Sequence, residues 1–355
     1  MHVFTQETKH VFFSLTTAGG QTKQESSSNS SLDVVPSICQ SRSKKNKSTS
    51  VLKINKRGGK RSKAKRTMSR KQNKSFNFSI VGNNAAGLKA KTDSLFHVIK
   101  ALNYPSCLTI QETKLPNRGK LAIEGYKIFE KPRSVYGGGL LTAVDTNLEP
   151  FEIENTNDDD SEILVVQCQV GGQKIRVLNA YGPQEDDPTE TRISFWTAVH
   201  QKIFEAKSEG CMLLLQMDAN AKLGNEIIKD DCNSMSENGR LMYEIIESES
   251  LSVLNSSSLC SGVITRYRET TKGIEMAVLD YVLACDRLAT FLDSMLIDEQ
   301  RVLTLTKYAT TKGMKSVVKS DHNILFAKFS LEYKKLNSKK PRQEVFNVKN
   351  EACCY

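Results

Sequence analysis

The 355-residue sequence has no Cys-x-x-Cys pair, no internal repeat and no stretch near the ~20 apolar residues of a membrane span. Its nine cysteines are odd in number and scattered, apart from adjacent Cys353 and Cys354. That pattern argues against a disulfide framework and a structural zinc site. The apolar run at residues 11–15 is too short for the core of a secretion signal. A soluble, reducing, intracellular setting is expected, with no membrane partner and no secretion. Gly137, Gly138 and Gly139 are not followed by Gly-Lys-Ser/Thr, so they form no phosphate loop and are expected only to start a strand.

Acid is missing as well, over a long stretch. No Asp or Glu lies between Asp33 and Asp93, whereas residues 42–74 carry 15 Lys and Arg. Residues 1–75 hold 17 basic and three acidic side chains, a net +14; residues 76–355 hold 33 and 37, a net −4. The overall +10 therefore describes neither part: a basic tail precedes a mildly acidic body. Such a tail has too little apolar surface to offset the entropy of ordering and reads as disordered. Its densest part is Lys56, Arg57, Lys60, Arg61, Lys63, Lys65 and Arg66. That run suits a nuclear-import address or an arm for the phosphates of DNA, with RNA as a second partner. A solvated linker is the plain alternative.

From residue 76 strand and helix patterns alternate. Phe76, Phe78 and Ile80 alternate as on a half-buried strand. Thr92 and Asp93 can cap a helix bearing Leu95, Val98, Ile99 and Leu102 at helical spacing. Strands are expected at residues 107–110, 175–178, 211–215, 263–267 and 279–283, with Leu325, Ala327 and Phe329 on one face of a last strand. A second helix carries Ile193, Trp196, Val199 and Ile203, and a third covers residues 241–251. Three regions follow: the tail (1–75), one α/β or α+β domain (76–333) and a C-terminal linker (334–355).

Polar residues cluster where these strands end: Asn84, Glu112, Asn179, Tyr181, Asp218, Asn220, Asp280, Asp321 and His322. Strand ends of one sheet converge in space, so residues scattered in sequence can line one cleft. The carboxylates are oxygen ligands for a hard divalent cation, and the absence of a Cys/His cluster disfavours a softer one. Magnesium with a phosphate substrate fits this set. Taken singly, each residue also fits an ordinary turn or cap.

Six short motifs occur in order: N-x-x-G-L at 84–88, Q-E-T-K at 111–114, N-x-Y-x-P at 179–183, D-x-N at 218–220, L-D-Y at 279–281 and S-D-H at 320–322. In these the chain resembles the endonuclease/exonuclease/phosphatase superfamily, in the apurinic-endonuclease-like branch carried by non-LTR retrotransposons. The resemblance covers roughly residues 76–333. It implies an α+β, deoxyribonuclease-I-like fold: a four-layered sandwich of two packed mixed β-sheets flanked by helices. It also implies phosphodiester or phosphomonoester hydrolysis with Mg²⁺, Mn²⁺ being the alternative.

Carried over by position, Glu112 corresponds to the principal metal ligand, helped by Asn84, with Asp321 near a second metal position. Asp218 corresponds to the general base or water-orienting group, and Asn220 holds it and the phosphate. His322 would face the scissile phosphate, oriented by Asp280, while Tyr181 and Asn179 would bind phosphate oxygen. Ala86, Met217 and Ala277 depart from the family pattern, and a Met217 side chain beside the cleft can displace Asp218.

The likeness of residues 84–89 and of the strand 265–267 to mobile-element endonucleases, and of residues 341–350 to a linker leading into a reverse transcriptase, favours a nuclease that nicks DNA for a mobile element. On this reading the chain is a truncated element or a gene model cut from one, and its place is the nucleus. Two alternatives stay open: a catalytically silent nucleic-acid-binding remnant, and a phosphatase or lipid phosphodiesterase of the same superfamily. Removing residues 1–75 is expected to weaken nucleic-acid binding and flatten its salt dependence; unchanged binding would take that role from the tail.

Overall fold

The computed structural model describes residues 75–117, 121–153, 161–311 and 314–332. The basic run 56–66, the tail and the segment 334–355 lie outside the described residues. One sheet has seven strands in the order β10 (Cys260–Ser261), β14 (Leu292–Ile297), β17 (Leu325–Glu332), β1 (Ser75–Asn84), β2 (Cys107–Gln111), β4 (Leu140–Asp145), β3 (Tyr126–Lys131). The other has six: β5 (Phe151–Glu152), β6 (Ile163–Val170), β7 (Gln173–Tyr181), β8 (Met212–Asp218), β13 (Asp280–Cys285), β9 (Leu251–Val253). Two ribbons stand apart, β11 (Arg266–Thr270) with β12 (Gly273–Ala277), and β15 (Thr306–Thr311) with β16 (Met314–Lys319).

Helices cover the outer faces. α1 (Thr92–Ala101) buries Leu95, Val98 and Ile99 on the seven-stranded sheet, in a core that includes Val81, Leu108 and Ile110. α2 (Thr189–Ser208) and α3 (Glu237–Ser248) lie on the six-stranded sheet, in a core holding Trp196, Val199, Ile203, Met242 and Ile246. The short α4 (Asp286–Ala289) follows β13. A third core lies between the sheets, where Phe78, Ile80, Ala327 and Phe329 meet Val166, Val177, Leu214 and Val282. Each such side chain, taken out of water, contributes roughly 1.5–3 kcal/mol. This is an α+β sandwich of four layers.

Local details depart from the sequence reading. Thr92 does not cap α1; a 3₁₀ turn, Lys89–Lys91, leads into the helix, and the Thr92 hydroxyl donates back to the Leu88 and Lys89 carbonyls. Ile193 is half exposed, and Phe195 takes its place in the buried stripe of α2. The strand expected at 263–267 begins at Arg266, because the Val263 and Ile264 amides donate to the Glu299 carboxylate instead of to a neighbouring strand. Among the described residues no helix is long and apolar enough to cross a membrane.

The sheets are also cross-linked by polar groups. Gln111 Nε2 in β2 donates to Asn179 Oδ1 in β7 (2.6 Å) and to Gln216 Oε1 in β8 (2.9 Å), all fully buried. Thr109 Oγ1 also donates to Gln216. Buried networks of this kind fix one alignment of the elements they join. Gln216 has its space because β1 carries Gly82 opposite it: a Cβ there would stand 2.0 Å from the Gln216 amide carbon. Gly82→Ala is expected to destabilise the fold by about 1–3 kcal/mol through overpacking. Equilibrium urea unfolding measures it, and an unchanged midpoint would show that Gln216 moves aside freely.

Candidate active site

Strand direction explains why one edge of the sandwich gathers the polar residues. β1 runs parallel to β2, and β7 parallel to β8, so both pairs present their C-terminal ends together. β17 runs antiparallel to β1, and β13 antiparallel to β8, so these present their N-terminal ends at the same edge. Asn84 ends β1, Glu112 follows β2, Tyr181 ends β7 and Asp218 ends β8. Asp280 opens β13 as the register partner of Asp218, and His322 precedes β17. A pocket of about 80 Å³ there is lined by Asn84, Glu112, Tyr181, Gln184, Asp218, Asn220, Arg266, Asp321 and His322.

The loops carrying these residues are tied to one another. The Gly87 amide donates to the Glu112 carbonyl (2.8 Å) and Leu88 to Thr113 (2.9 Å), which lays residues 84–88 along residues 111–114. Thr113 and Lys114 in turn donate to the Gly139 and Gly138 carbonyls (3.0 Å each). Gly139, at φ +89°, lies where a Cβ would stand 2.7 Å from Thr113 Oγ1. Gly138 and Gly139 thus back the Glu112 loop as well as leading into β4. Ala86, Glu112, Lys114 and Asn220 hold left-handed φ values of 44–52°. Such conformations are costly for residues with a Cβ and cluster at functional sites.

Asp218 is buried and held by donors on both carboxylate oxygens. Its Oδ2 accepts from Asn84 Nδ2 (2.7 Å) and its Oδ1 from the Asn220 amide (3.1 Å), and His322 Nε2 lies 3.7 Å from Oδ2. Asn220 Nδ2 donates to the Gly182 carbonyl (2.8 Å). His322 Nδ1 lies 2.9 and 3.1 Å from the two oxygens of buried Asp280. Burial disfavours charge on this imidazole, but the Asp280 and Asp218 carboxylates outweigh it and raise its pKa to about 9. Burial, with the charge of Asp280, raises Asp218 to about 6. The ring is therefore cationic at neutral pH and Asp218 mostly anionic.

The opposite wall of the pocket belongs to Glu112. Its Oε1 accepts from the Tyr181 hydroxyl (2.8 Å) and its Oε2 lies 3.4 Å from Lys114 Nζ. Burial and the carboxylates of Asp218 and Glu112 push the Tyr181 hydroxyl pKa upward, so it stays a donor. Asp321 pairs with Arg266 Nε at 3.0 Å. Burial opposes its charge, yet His322 and Arg266 hold its carboxyl below the usual range.

One expected residue lies elsewhere. Asn179 is wholly buried between the sheets, where its Oδ1 accepts from Gln111 and its Nδ2 donates to the Leu141 carbonyl (2.9 Å) and Thr142 Oγ1 (3.2 Å). It braces the sandwich beneath the site and does not line the pocket, so its assignment to phosphate is corrected. Met217 does not disturb Asp218: it packs in the outer core with Trp196 and Leu215, on the face away from the pocket. Three residues were not singled out from sequence as site groups. Gln184 lines the pocket, its Nε2 3.4 Å from the Tyr181 hydroxyl. Arg266 holds Asp321 and bridges to the His322 backbone. Asn238, fully buried at the start of α3, donates to the Pro183 (2.8 Å) and Asn220 (3.2 Å) carbonyls and so joins two site loops. Only the Thr-Arg-Tyr run gave any sequence signal, for Arg266.

Asp218, Asp280 and His322 place candidate ligand atoms within 4.8 Å of one another, so this cluster could bind a metal ion. Glu112 and Asp321 add further oxygen donors to the same pocket. The donor set, rich in carboxylate and without thiols, suits a hard divalent cation. Beside the pocket a cleft of about 820 Å³ shares Glu112, Tyr181 and Gln184 with it and extends past Arg133, Tyr136 and Glu162.

No family model matches the chain, and no curated protein matches it by sequence. Solved structures do match its fold. The endonuclease domain of TRAS1, a telomere-specific non-LTR retrotransposon, is 19% identical with a TM-score of 0.52, over 71% of this chain and 98% of that one. The apurinic endonuclease LMAP of Leishmania major is 15% identical with a TM-score of 0.56, over 72% and 88%. The 3′-5′ exonuclease NExo of Neisseria meningitidis is 16% identical with a TM-score of 0.53, over 71% and 99%.

In metal-free protein, His322 contributes stability that is complete below the ordinary histidine value of 6.5 and lost as pH rises through about 9. Asp280→Asn is expected to move the His322 titration, followed by NMR in a chelator, to lower pH; an unmoved midpoint would contradict the pairing. The chain has the four-layered, deoxyribonuclease-I-like α+β fold seen in these three nucleases.

Proposed function

We propose that the chain is a metal-dependent phosphodiesterase that cleaves DNA internally. One observation carries this reading: both sheets deliver their polar strand ends to a single pocket, where a buried carboxylate, a cationic imidazole and an oxygen-rich wall face one another. Glu112 would hold the metal, with Asn84 and Asp321 beside it. When bound, a divalent cation there neutralises charge on the phosphate oxygens and polarises the phosphorus centre. His322 is left out of the ligand set because its Nδ1 is already engaged by Asp280 and its Nε2 is the group turned toward Asp218 and the pocket.

The remaining groups have definite work. In hydrolysis a water oxygen bonds to phosphorus and loses a proton, while the P–O ester bond breaks and the departing oxygen takes a proton from solvent. Asp218, fixed by Asn84 and the Asn220 amide, accepts that proton, and its raised pKa makes it a better base than an exposed carboxylate. His322 donates from Nε2 to a phosphate oxygen as negative charge grows there, with Asp280 holding ring and charge in place. Tyr181 orients Glu112, and Gln184, which lines the pocket, supplies the amide donor for phosphate that buried Asn179 cannot. The fold likeness to the TRAS1 domain supports nicking of target DNA for a non-LTR retrotransposon as the cellular role. The basic run 56–66 supports action in the nucleus.

A plasmid-nicking assay with Mg²⁺ tests the proposal. The wild-type chain is expected to convert supercoiled plasmid to nicked circles, and a chelator to stop it. Glu112→Gln and His322→Ala are each expected to lower the rate by roughly 10²–10⁴-fold. Wild-type protein that binds DNA yet leaves the plasmid intact would make the chain a silent binding remnant. Phosphate release from small substrates alone would place it with the phosphatases.

A further inference from the structure

The ribbon β15–β16 belongs to neither large sheet, yet it leads straight into Ser320, Asp321 and His322. Residues 300–320 carry five Lys and Arg and no acid, within a body whose net charge is −4. The strand register pairs Tyr308 with Val317 and Thr306 with Lys319, and in a two-stranded ribbon such alternate pairs share a face. That face presents Tyr308, 82% exposed, and Val317, 55% exposed, beside exposed Lys319. An exposed aromatic and a β-branched side chain rimmed by lysine are costly in water and mark a contact surface. An aromatic face beside cations is also the chemistry that stacks bases and neutralises phosphates.

The base of the ribbon is fixed against the site. The Ser320 amide donates to the Leu305 carbonyl and Ser320 Oγ to the Asn84 carbonyl, both at 2.8 Å, and the Thr306 amide donates to Ser94 Oγ at 3.1 Å. Val317 is four residues before Asp321, at most about 14 Å of extended chain. One DNA strand advances 3.4 Å per nucleotide, so that reach spans about four nucleotides.

We propose that the β15–β16 ribbon is a DNA-docking arm: Lys319 holds a phosphate, and Tyr308 on the same face packs on a base or sugar, within about four nucleotides of the cleaved bond. It rests on the nuclease reading of the adjoining pocket. The acidic body needs such an arm, because long-range repulsion of DNA by a net-negative domain has to be met by local positive charge near the point of cleavage.

The test uses the full chain, a fluorescent duplex oligonucleotide in EDTA over a range of salt, and hydrolysis of bis(p-nitrophenyl) phosphate with Mg²⁺. Lys319→Ala is expected to reduce the slope of log affinity against log salt by about one. Tyr308→Ala is expected to weaken binding roughly fivefold to a hundredfold with the slope unchanged. All variants should hydrolyse the small diester like wild type, since it cannot reach the ribbon. DNA binding and slope equal to wild type would overturn the proposal, and would leave a protein partner as the ribbon's occupant. Equal losses on DNA and the small diester would overturn it too, reducing the ribbon to a support for Asp321 and His322. Ribbon-dependent DNA binding without hydrolysis of either substrate would uphold the arm and remove the nuclease reading instead.

Discussion

One hydrogen bond, from Asn84 Nδ2 to Asp218 Oδ2 at 2.7 Å, joins the last residue of a strand in one sheet to the last residue of a strand in the other. Everything the pocket can do depends on that alignment of the two sheets. Behind it, Gln111, Asn179 and Gln216 lock the sheets one layer deeper, and Gly82 makes room for the lock. In front of it, Asp280 and His322 form the counter-wall through β13 and β17, the antiparallel neighbours of β8 and β1. A shift of one residue between the sheets would part Asn84 from Asp218 and tilt the imidazole away. The apolar core supplies most of the stability, whereas this polar seam sets where the chemistry can occur.

Much of this was legible in the sequence, because the informative residues stand at breaks in apolar patterns. Phe78, Ile80, Leu108 and Leu214 announce strands by their spacing, and Glu112, Asp218 and Asp280 stand where such apolar runs end or begin. Asn179 shows the limit of that logic. It lies two residues before Tyr181, on the same face of β7, and one pleat repeat of about 7 Å inward moves its amide from the rim to the interior. Periodicity gives the face but not the depth. Gln184, Arg266 and Asn238 were hidden for a related reason: their roles arise from non-local neighbours, such as the bridge between Arg266 and His322, that no local pattern encodes. The β15–β16 ribbon, rich in Thr, Lys and Val, gave no burial signal, and its described side chains from Thr306 to Tyr308 and from Ser316 to Lys319 are exposed or half-buried.

Charge follows the same division. The body is net negative and the pocket concentrates acids, so Asp218 is held partly toward its neutral form by burial and by Asp280. A bound cation and a cationic His322 relieve this, which couples metal occupancy to the readiness of the base. On the proposed reading, attraction for DNA would come from outside the pocket, from the ribbon beside it and from the tail.

The central claim is a division of labour: a cation at Glu112, and an Asp280–His322 pair that stays free of metal. Anomalous scattering from Mn²⁺ in a crystal of the chain tests it directly. The account predicts an ion against the Glu112 carboxylate with the His322 to Asp280 hydrogen bond intact. An ion seated between Asp218 and Asp280, with the imidazole displaced into its coordination shell, would contradict it.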